Sequence, residues 1–406
     1  MTLPERYHGV WLRDLRVGTL IQRGDYTRFV LSDSYLADVD RPVLGLRYEQ
    51  DLTAAHSAAL RLPPWFSNLL PEGRLRDWIA AERGVSAQRE MELLTQVGHD
   101  LPGAVRVRPV ESAAASGEWP EEFVDEPSSG SAEHRLRFSL AGVALKFSML
   151  ADGDRLTLPA VDERGDWIVK LPDRVYPDVP RNELTMMRLA AAVGIETPAV
   201  RLVHRDEVSG LPERVWPDTE QWAYAVERFD RTAEGDLVHI EDLAQVRNFY
   251  PDDKYLGSYE TVGALFYRGH DAASLREFAR RLTLDILISN GDAHLKNWSL
   301  IYRDERIPQI SPAYDLVSTR YYMGEEELGL RFGATKHFDR VRLTDFDRLE
   351  RRLGVELGLA DVGRETIERV LARWPEVGES LRQNAALHAD VTAGIHDRAV
   401  SLRASR

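Results

Sequence analysis

Leu287-Ile288-Ser289-Asn290-Gly291-Asp292-Ala293-His294-Leu295-Lys296-Asn297-Trp298-Ser299 is the stretch whose chemistry constrains the fold most tightly. Shortly after it comes Pro312-Ala313-Tyr314-Asp315-Leu316. The two pieces place Asp292, His294, Lys296, Asn297 and Asp315 within one short span. The first follows an apolar helical run and carries Gly/Asn loop chemistry. The second follows a short strand-like piece. Such a set suits phosphoryl transfer: one Asp orients the attacking hydroxyl, while an Asn and a second Asp hold Mg²⁺ against nucleotide phosphates. Asp-x-x-x-x-Asn, from Asp292 to Asn297, has the spacing of a kinase catalytic loop. Alone that spacing is weak, because Asp and Asn are common loop residues.

Two upstream residues strengthen it. Asp166-Trp167-Ile168-Val169-Lys170-Leu171-Pro172 reads as an apolar strand with a lysine inside. A buried lysine costs desolvation unless it meets an anion. A helix expected from Arg181 to Val193, stopped at Gly194, supplies Glu183 in its first turn. A strand Lys with a helix Glu is the kinase grip on the α/β-phosphates. An edge-strand lysine with its head in solvent is the plain alternative. Residues 197–205 and 222–229 read as further strands. Glu227 to Phe229, where the second runs into Asp230-Arg231, are candidates for a hinge against adenine.

Further upstream, Arg135–Leu140 and Val143–Met149 read as a hairpin about Ala141-Gly142, with Val143, Leu145, Phe147 and Met149 on one face. Its tip carries Ser139 and Gly142. With a single glycine, spacing alone favours an ordinary turn over a phosphate cradle. Residues 111–133 are acidic, with no Lys or Arg, and rich in Ser, Ala, Gly and Pro: a solvated linker. Residues 8–50 alternate like an antiparallel meander, turning at Arg23-Gly24-Asp25-Tyr26. Residues 53–61 and 74–96 have helical character, and Asp100-Leu101-Pro102-Gly103-Ala104 leads into a strand from Val105 to Val107. These compose an α+β module.

Downstream of the hinge the chain turns helical. Residues 256–267 form one expected helix. Ser274-Leu275-Arg276-Glu277 is a capping box that opens another, with Leu275, Phe278, Ala279, Leu282 and Ile286 at helical spacing. Strands Trp298–Tyr302 and Ile307–Ile310 follow. Then come helices Thr344–Leu353 (capped by Thr344), Asp361–Trp374 (stopped at Pro375) and 377–404.

At 406 residues the chain can hold two or three cores, and its composition is globular. The net charge of −14 is the opposite of what a direct DNA-phosphate binder shows. A nucleic-acid role would pass through a basic partner. There are no cysteines, so there are no disulfides or Cys-ligated zinc. The N-terminus lacks an apolar signal core and no stretch reaches membrane-spanning length, so a cytoplasmic protein is expected.

Taken in order, these pieces resemble the HipA family, the serine/threonine-kinase toxins of type II toxin–antitoxin systems. Phe66-Ser-Asn-Leu-Leu-Pro-Glu-Gly73 and Asp100–Ala104 look like the family's N-terminal subdomain. Ser139-Leu-Ala-Gly-Val143 with Lys146 looks like its serine-bearing loop. Val169–Pro172, Asn182-Glu183, Val226–Arg231, Asn290–Asn297 and Pro312–Asp315 look like its kinase core. The resemblance implies an α+β fold with a bilobal protein-kinase-like core. An N-terminal module (1–109) and linker (110–134) precede a small β lobe (135–230) and a helical lobe (231–406). It implies Asp292 as base, with His294 and Lys296 in support, and Asn297 and Asp315 on Mg²⁺. Lys170, Glu183, Glu227, Phe229, Ser139 and Gly142 would surround ATP. Ser139 would be a self-phosphorylation site that silences the kinase. The implied partners are a helix-turn-helix antitoxin, operator DNA through that antitoxin, and an aminoacyl-tRNA synthetase as substrate. The family's usual Gln two residues past the Gly is Ala144 here. A nucleotide-binding corepressor without transfer, or a small-molecule kinase, are the alternatives.

Overall fold

Alternating apolar residues, turned at Gly24-Asp25, make the N-terminal meander. Strands β1 (Glu5–Leu12), β2 (Leu15–Arg23) and β3 (Tyr26–Leu31) pair antiparallel, with Arg23 opposite Tyr26. The computed structural model describes residues 4–111, 145–159, 163–212, 215–217, 219–324 and 327–404. Ser139, Gly142, the first strand of the expected 135–149 hairpin and nearly all of the linker lie outside them.

The first sheet has the order β4-β3-β2-β1-β5, with β4 His56–Ala59 and β5 Val105–Val110 at its edges. The helix expected over 53–61 is therefore a strand on β3. Its Ala-rich sequence favours helix locally. The backbone groups of the β3 edge and the alternate burial of His56 and Ala58 decide otherwise. The helical stretch 74–96 is two helices, Gly73–Arg83 and Glu90–Val97, broken after the left-handed Gly84.

The second sheet has the order β10-β7-β6-β8-β11-β9. It contains β6 (Lys146–Asp152), β7 (Arg155–Thr157), β8 (Trp167–Lys170), β9 (Val200–His204), β10 (Val208–Ser209) and β11 (Trp222–Glu227). Leu145, Phe147 and Met149 are buried on one face, as their alternation predicts. Helix Val179–Ala192 crosses from this lobe and packs Leu184, Met186, Met187 and Leu189 into the core of the helical lobe. Gly194, at φ 92°, ends it in a conformation that other residues avoid.

In the helical lobe β12 (His239–Asp242), β13 (Ser299–Tyr302) and β14 (Gln309–Ile310) form a small sheet. A hairpin of β15 (Glu327–Phe332) and β16 (Thr335–His337) follows. Helix Ala272–Leu287 buries its whole predicted stripe, Leu275, Phe278, Ala279, Leu282 and Ile286. Each such side chain contributes about 1.5–3 kcal/mol, less for alanine. Its cap is Asp271, whose carboxylate accepts from the Ser274 N–H at 2.9 Å and the Ser274 hydroxyl at 2.6 Å. Ser274 is thus the capped residue rather than the cap. Likewise Thr344 lies inside helix Leu343–Leu353, where the Asp345 carboxylate accepts from the Arg342 N–H at 2.9 Å. Pro375 does not stop its helix, which runs Leu359–Val377. So close to the end a proline removes one backbone bond without breaking the core turns. Among the described residues no helix is long and apolar enough to cross a membrane.

The N-terminal module shares side chains with both lobes. Leu237 completes its core. Leu75 and Trp78 of helix Gly73–Arg83 pack on the second sheet, Trp78 edge-on to Phe147 with centroids 5.3 Å apart.

Candidate active site

The helix Ala272–Leu287 delivers the loop, and its last turn is closed by the loop itself. The Asn290 backbone N–H donates to the Asp285 carbonyl at 2.8 Å, and its side-chain amide to the Asp285 carboxylate at 2.7 Å. Ser289 takes φ 54° to make this turn. The Asn290 side-chain oxygen then accepts from the Asp292 N–H at 3.2 Å. Asp292 is 3% exposed, and its carboxylate accepts from the Tyr255 hydroxyl. Asn297 donates to the Asp292 carbonyl at 2.9 Å, so this interval is closed into one ring by its own ends. His294 lies 3.8 Å from the Asp292 carboxylate, edge-on to Tyr255. Neither ring nitrogen of His294 has a hydrogen-bond partner among the described residues. Burial, then the Lys254 charge, pulls its pKa down to about 4, so the ring is neutral.

Opposite the loop, Lys170 ends β8. Its ammonium donates to Glu183 at 2.5 Å and also to Asp315. Burial opposes the Lys170 charge, but the Asp315 and Glu183 carboxylates outweigh it and hold its pKa above the usual lysine value. Burial also works against the Asp315 charge, yet Lys170 and then Lys146 bring its pKa to about 2. Asp315 sits at φ 56°, in the left-handed region. Asp tolerates that region better than most residues, and backbone strain of this kind concentrates at working sites. Asn297 and Asp315 line one small cavity.

Lys146, which the resemblance ties to the serine-bearing loop, meets Lys170 here. It lies directly across from Lys170 in the β6–β8 ladder, so both lysines share a face. Like charges in that position repel. Among the described residues Lys146 makes no ion pair. Burial first lowers its pKa, with Asp315 raising it and Lys170 lowering it further. The resemblance marks Lys146, but only the register shows its pairing with Lys170.

The expected hinge is divided. Glu227 is exposed at the end of β11, and its N–H bonds the Ala199 carbonyl at 2.9 Å. Phe229 is half-buried and packs on Tyr314, centroids 5.6 Å apart, beside Asp315. Tyr314 in turn donates to the Lys296 carbonyl at 2.8 Å. Arg228, between the two hinge candidates, points into the N-terminal module. It donates to Asp100 at 2.9 Å, to Asp230 at 2.9 and 3.0 Å, and to the Leu101 carbonyl at 3.0 Å. Arg231 adds a 2.8 Å bond to Asp100. The Gly103 N–H donates to Asp230 at 2.7 Å, and a Cβ on Gly103 would lie 2.8 Å from the Ile240 nitrogen. The two motifs are therefore halves of one buried network. Ser148 joins this network, its hydroxyl donating to Asp100 at 2.6 Å.

The N-terminal module also reaches the loop. Lys296 donates to the Asn68 carbonyl at 2.8 Å and lies 3.1 Å from the Glu72 carboxylate and 3.5 Å from that of Asp242. Lys296 thus faces the module. Glu72 and Lys254 carried no signal as site residues, because their meeting depends on how the module docks, and Tyr255 reaches Asp292 only through the folding of the helical lobe.

His239 sits at the same junction and donates to the Leu44 carbonyl at 2.8 Å. Burial lowers its pKa to about 4. The unfolded chain takes up a proton near pH 6.5 that this ring refuses until about 4. Stability from this group is therefore lost as pH falls through that window. Burial pushes the Glu241 and Asp285 carboxyls up to about 7, which acts in the opposite sense. The histidine share is read by difference. Between pH 7 and 5 the parent should lose about 2 kcal/mol more unfolding free energy than His239→Gln. Parallel losses in denaturant titrations would show that His239 already titrates normally.

Comparison with known proteins places most of the chain among known domains. Residues 8–108 match the HipA N-terminal domain and residues 138–376 the HipA-like C-terminal domain. A protein of Sinorhizobium fredii provisionally named a kinase, Y4dM, is 42% identical, covering 94% of this chain and 93% of its own. The serine/threonine-protein kinase toxin HipA of Shewanella oneidensis is 26% identical over 64% of each chain. A solved complex of Shewanella oneidensis HipA with HipB and operator DNA superposes with a TM-score of 0.76, covering 97% of both chains at 22% identity. That last likeness shows the fold, here a mixed α+β fold as the sequence predicts. With both family domains matched and a kinase-named relative 42% identical over nearly its whole length, this chain belongs to the HipA family of kinases.

Proposed function

We propose that the chain transfers the γ-phosphoryl group of ATP to a serine or threonine hydroxyl of a protein. The observation that carries this reading is Lys170 bridging Glu183 and Asp315, which ties strand, helix and C-lobe carboxylate at one point. Lys170 and Lys146 would take the phosphate oxygens. Asp292 would accept the proton of the acceptor hydroxyl as its oxygen bonds the γ-phosphorus and ADP departs. Phe229 would flank the adenine, and Glu227 offers only its backbone and rim. His294, neutral and buried, would support the loop rather than shuttle protons.

Magnesium fits this donor set. Asp315 is ionised, and Asn297 spends its amide on Asp292 and keeps its carbonyl oxygen, both oxygen donors of the kind Mg²⁺ takes. Bound there, the ion would neutralise charge on the transferring phosphates. Lys170 would share Asp315 with it.

The wider role follows the family. A helix-turn-helix antitoxin would bind the chain and, being basic, contact operator DNA, a division that the −14 charge suits. The substrate would be a translation component, an aminoacyl-tRNA synthetase, and the setting the cytoplasm. Ser139 remains the proposed self-phosphorylated residue, and a phosphoserine would add nearly two negative charges to the loop that the family resemblance assigns to ATP.

Intact-mass spectrometry before and after Mg-ATP tests this. A gain of one phosphate, absent in Asp292→Ala and mapped to Ser139, is expected. ATP bound with no transfer to self or to candidate synthetases would instead favour the corepressor reading. Lys146→Met separates binding from folding: ATP affinity should fall about tenfold while the melting temperature holds or rises, because a like-charge repulsion is removed. Unchanged affinity in a nucleotide titration would remove Lys146 from the site.

A further inference from the structure

We propose that Glu72 of the N-terminal module is a positioning residue of the catalytic centre, bracing from outside the kinase core the two segments that hold Asp292. The inference rests on the kinase reading above. Glu72 accepts from Lys254 at 2.8 Å and lies 3.1 Å from Lys296, one carboxylate oxygen for each lysine. Neither lysine is a remote contact. The Lys254 carbonyl accepts from the Leu295 N–H at 3.0 Å, and the next residue, Tyr255, donates to the Asp292 carboxylate. Lys296 adjoins Asn297, which holds the Asp292 carbonyl at 2.9 Å. The side chain of Asp292 is thus held through 254–255 and its backbone through 296–297, and both paths end on Glu72.

The brace is itself fixed. Asn68, four residues before, accepts from Lys296 through its carbonyl at 2.8 Å and its side-chain oxygen at 3.1 Å. Its amide donates to the Phe249 carbonyl at 2.7 Å and the Pro64 carbonyl at 2.8 Å. Burial disfavours the Glu72 charge, but Lys296 and Lys254 outweigh it and hold the carboxylate well below its usual range. A carboxylate between two lysines sets their separation, and so the spacing of the chain segments that carry them. A displacement of about 1 Å at a reacting group costs on the order of 10²-fold in rate.

A mere interdomain ion pair would secure docking and leave the loop alone, so the test reads the loop directly. Full-length parent, Glu72→Gln, Glu72→Ala and Asp292→Ala are compared by hydrogen exchange, nucleotide titration and phosphate transfer from Mg-ATP. The amides of residues 290–298 should exchange at least tenfold faster in Glu72→Ala, with those of residues 15–31 unchanged. Turnover should fall about 10–100-fold with ATP affinity within threefold, Glu72→Gln lying between. Unchanged exchange in 290–298 overturns the proposal whatever the turnover. So does faster exchange throughout the N-terminal module, which would make Glu72 a docking residue. Exchange needs no substrate, so the result stands even where transfer is not seen. If Asp292→Ala retains full transfer, the kinase reading of the site fails instead. If Asp292→Ala is inactive and Glu72→Ala matches the parent, only the brace fails.

Discussion

Asp292→Ala is expected to lower phosphate transfer about 10³-fold, within the range set by removing a general base. ATP affinity should stay within threefold, because the phosphate-side groups Lys170, Lys146 and Asp315 lie on other segments. The fold should survive. Asp292 is buried, but its carboxylate meets the Tyr255 hydroxyl, which is half-buried and can turn to water. The backbone bonds through Asn290 and Asn297 use main-chain atoms that alanine retains. Single-turnover transfer with labelled ATP, beside a melting curve, measures both sides. A variant within tenfold of the parent would mean that another group takes the proton, and the base assignment would be withdrawn.

Arg228→Met should destabilise the fold by about 3–5 kcal/mol, the usual cost of removing one member of a buried ionic network. Arg228 is 7% exposed and serves Asp100 and Asp230 together. Without it two carboxylates face each other with Arg231 alone to answer them. The guanidinium also helps to join the end of β11 to the Asp100–Ala104 turn, beside Arg231 and Asp230, so the loss weakens module docking and core alike. A companion variant sets the scale. Arg306 pairs with Asp40 at 2.6 Å, but both side chains are largely in water, and Arg306→Ala should cost under about 1 kcal/mol. Urea titrations of the two variants decide. Equal small losses would mean that Arg228 is solvated and the network contributes little.

The sequence displayed some of this plainly and hid the rest for physical reasons. The helix Ala272–Leu287 was legible because five apolar residues at helical spacing all face one core. Lys170 and Glu183 were legible because a lysine inside an apolar strand demands an anion, and the next helix offers one. Asp292 and Asn297 were legible from spacing. The β4 strand was not, since four Ala-rich residues take their conformation from the edge they pair with. Asp271 was missed as a cap because a serine three residues on makes an equally good local signature. The pairing of Lys146 with Lys170 depended on β-register, and Glu72, Arg228 and Lys254 on contacts between residues more than a hundred positions apart. Arg228 shows the limit most clearly. Read along the chain it is one residue of a hinge, while in space it is the centre of a junction.

That junction bears on how the molecule melts. Asp100 with Arg228, Glu72 with Lys254 and Lys296, and Glu241 with the Trp65 indole at 3.1 Å are separate ties between the N-terminal module and the remainder. Leu237 closes a hydrophobic cluster that belongs otherwise to the module, and Trp78 lies on the sheet of the small lobe. None of these cores is complete by itself. The calorimetric consequence is a single endotherm rather than a staircase of lobe transitions. One cooperative folding unit is the expected result, despite a length at which proteins commonly divide.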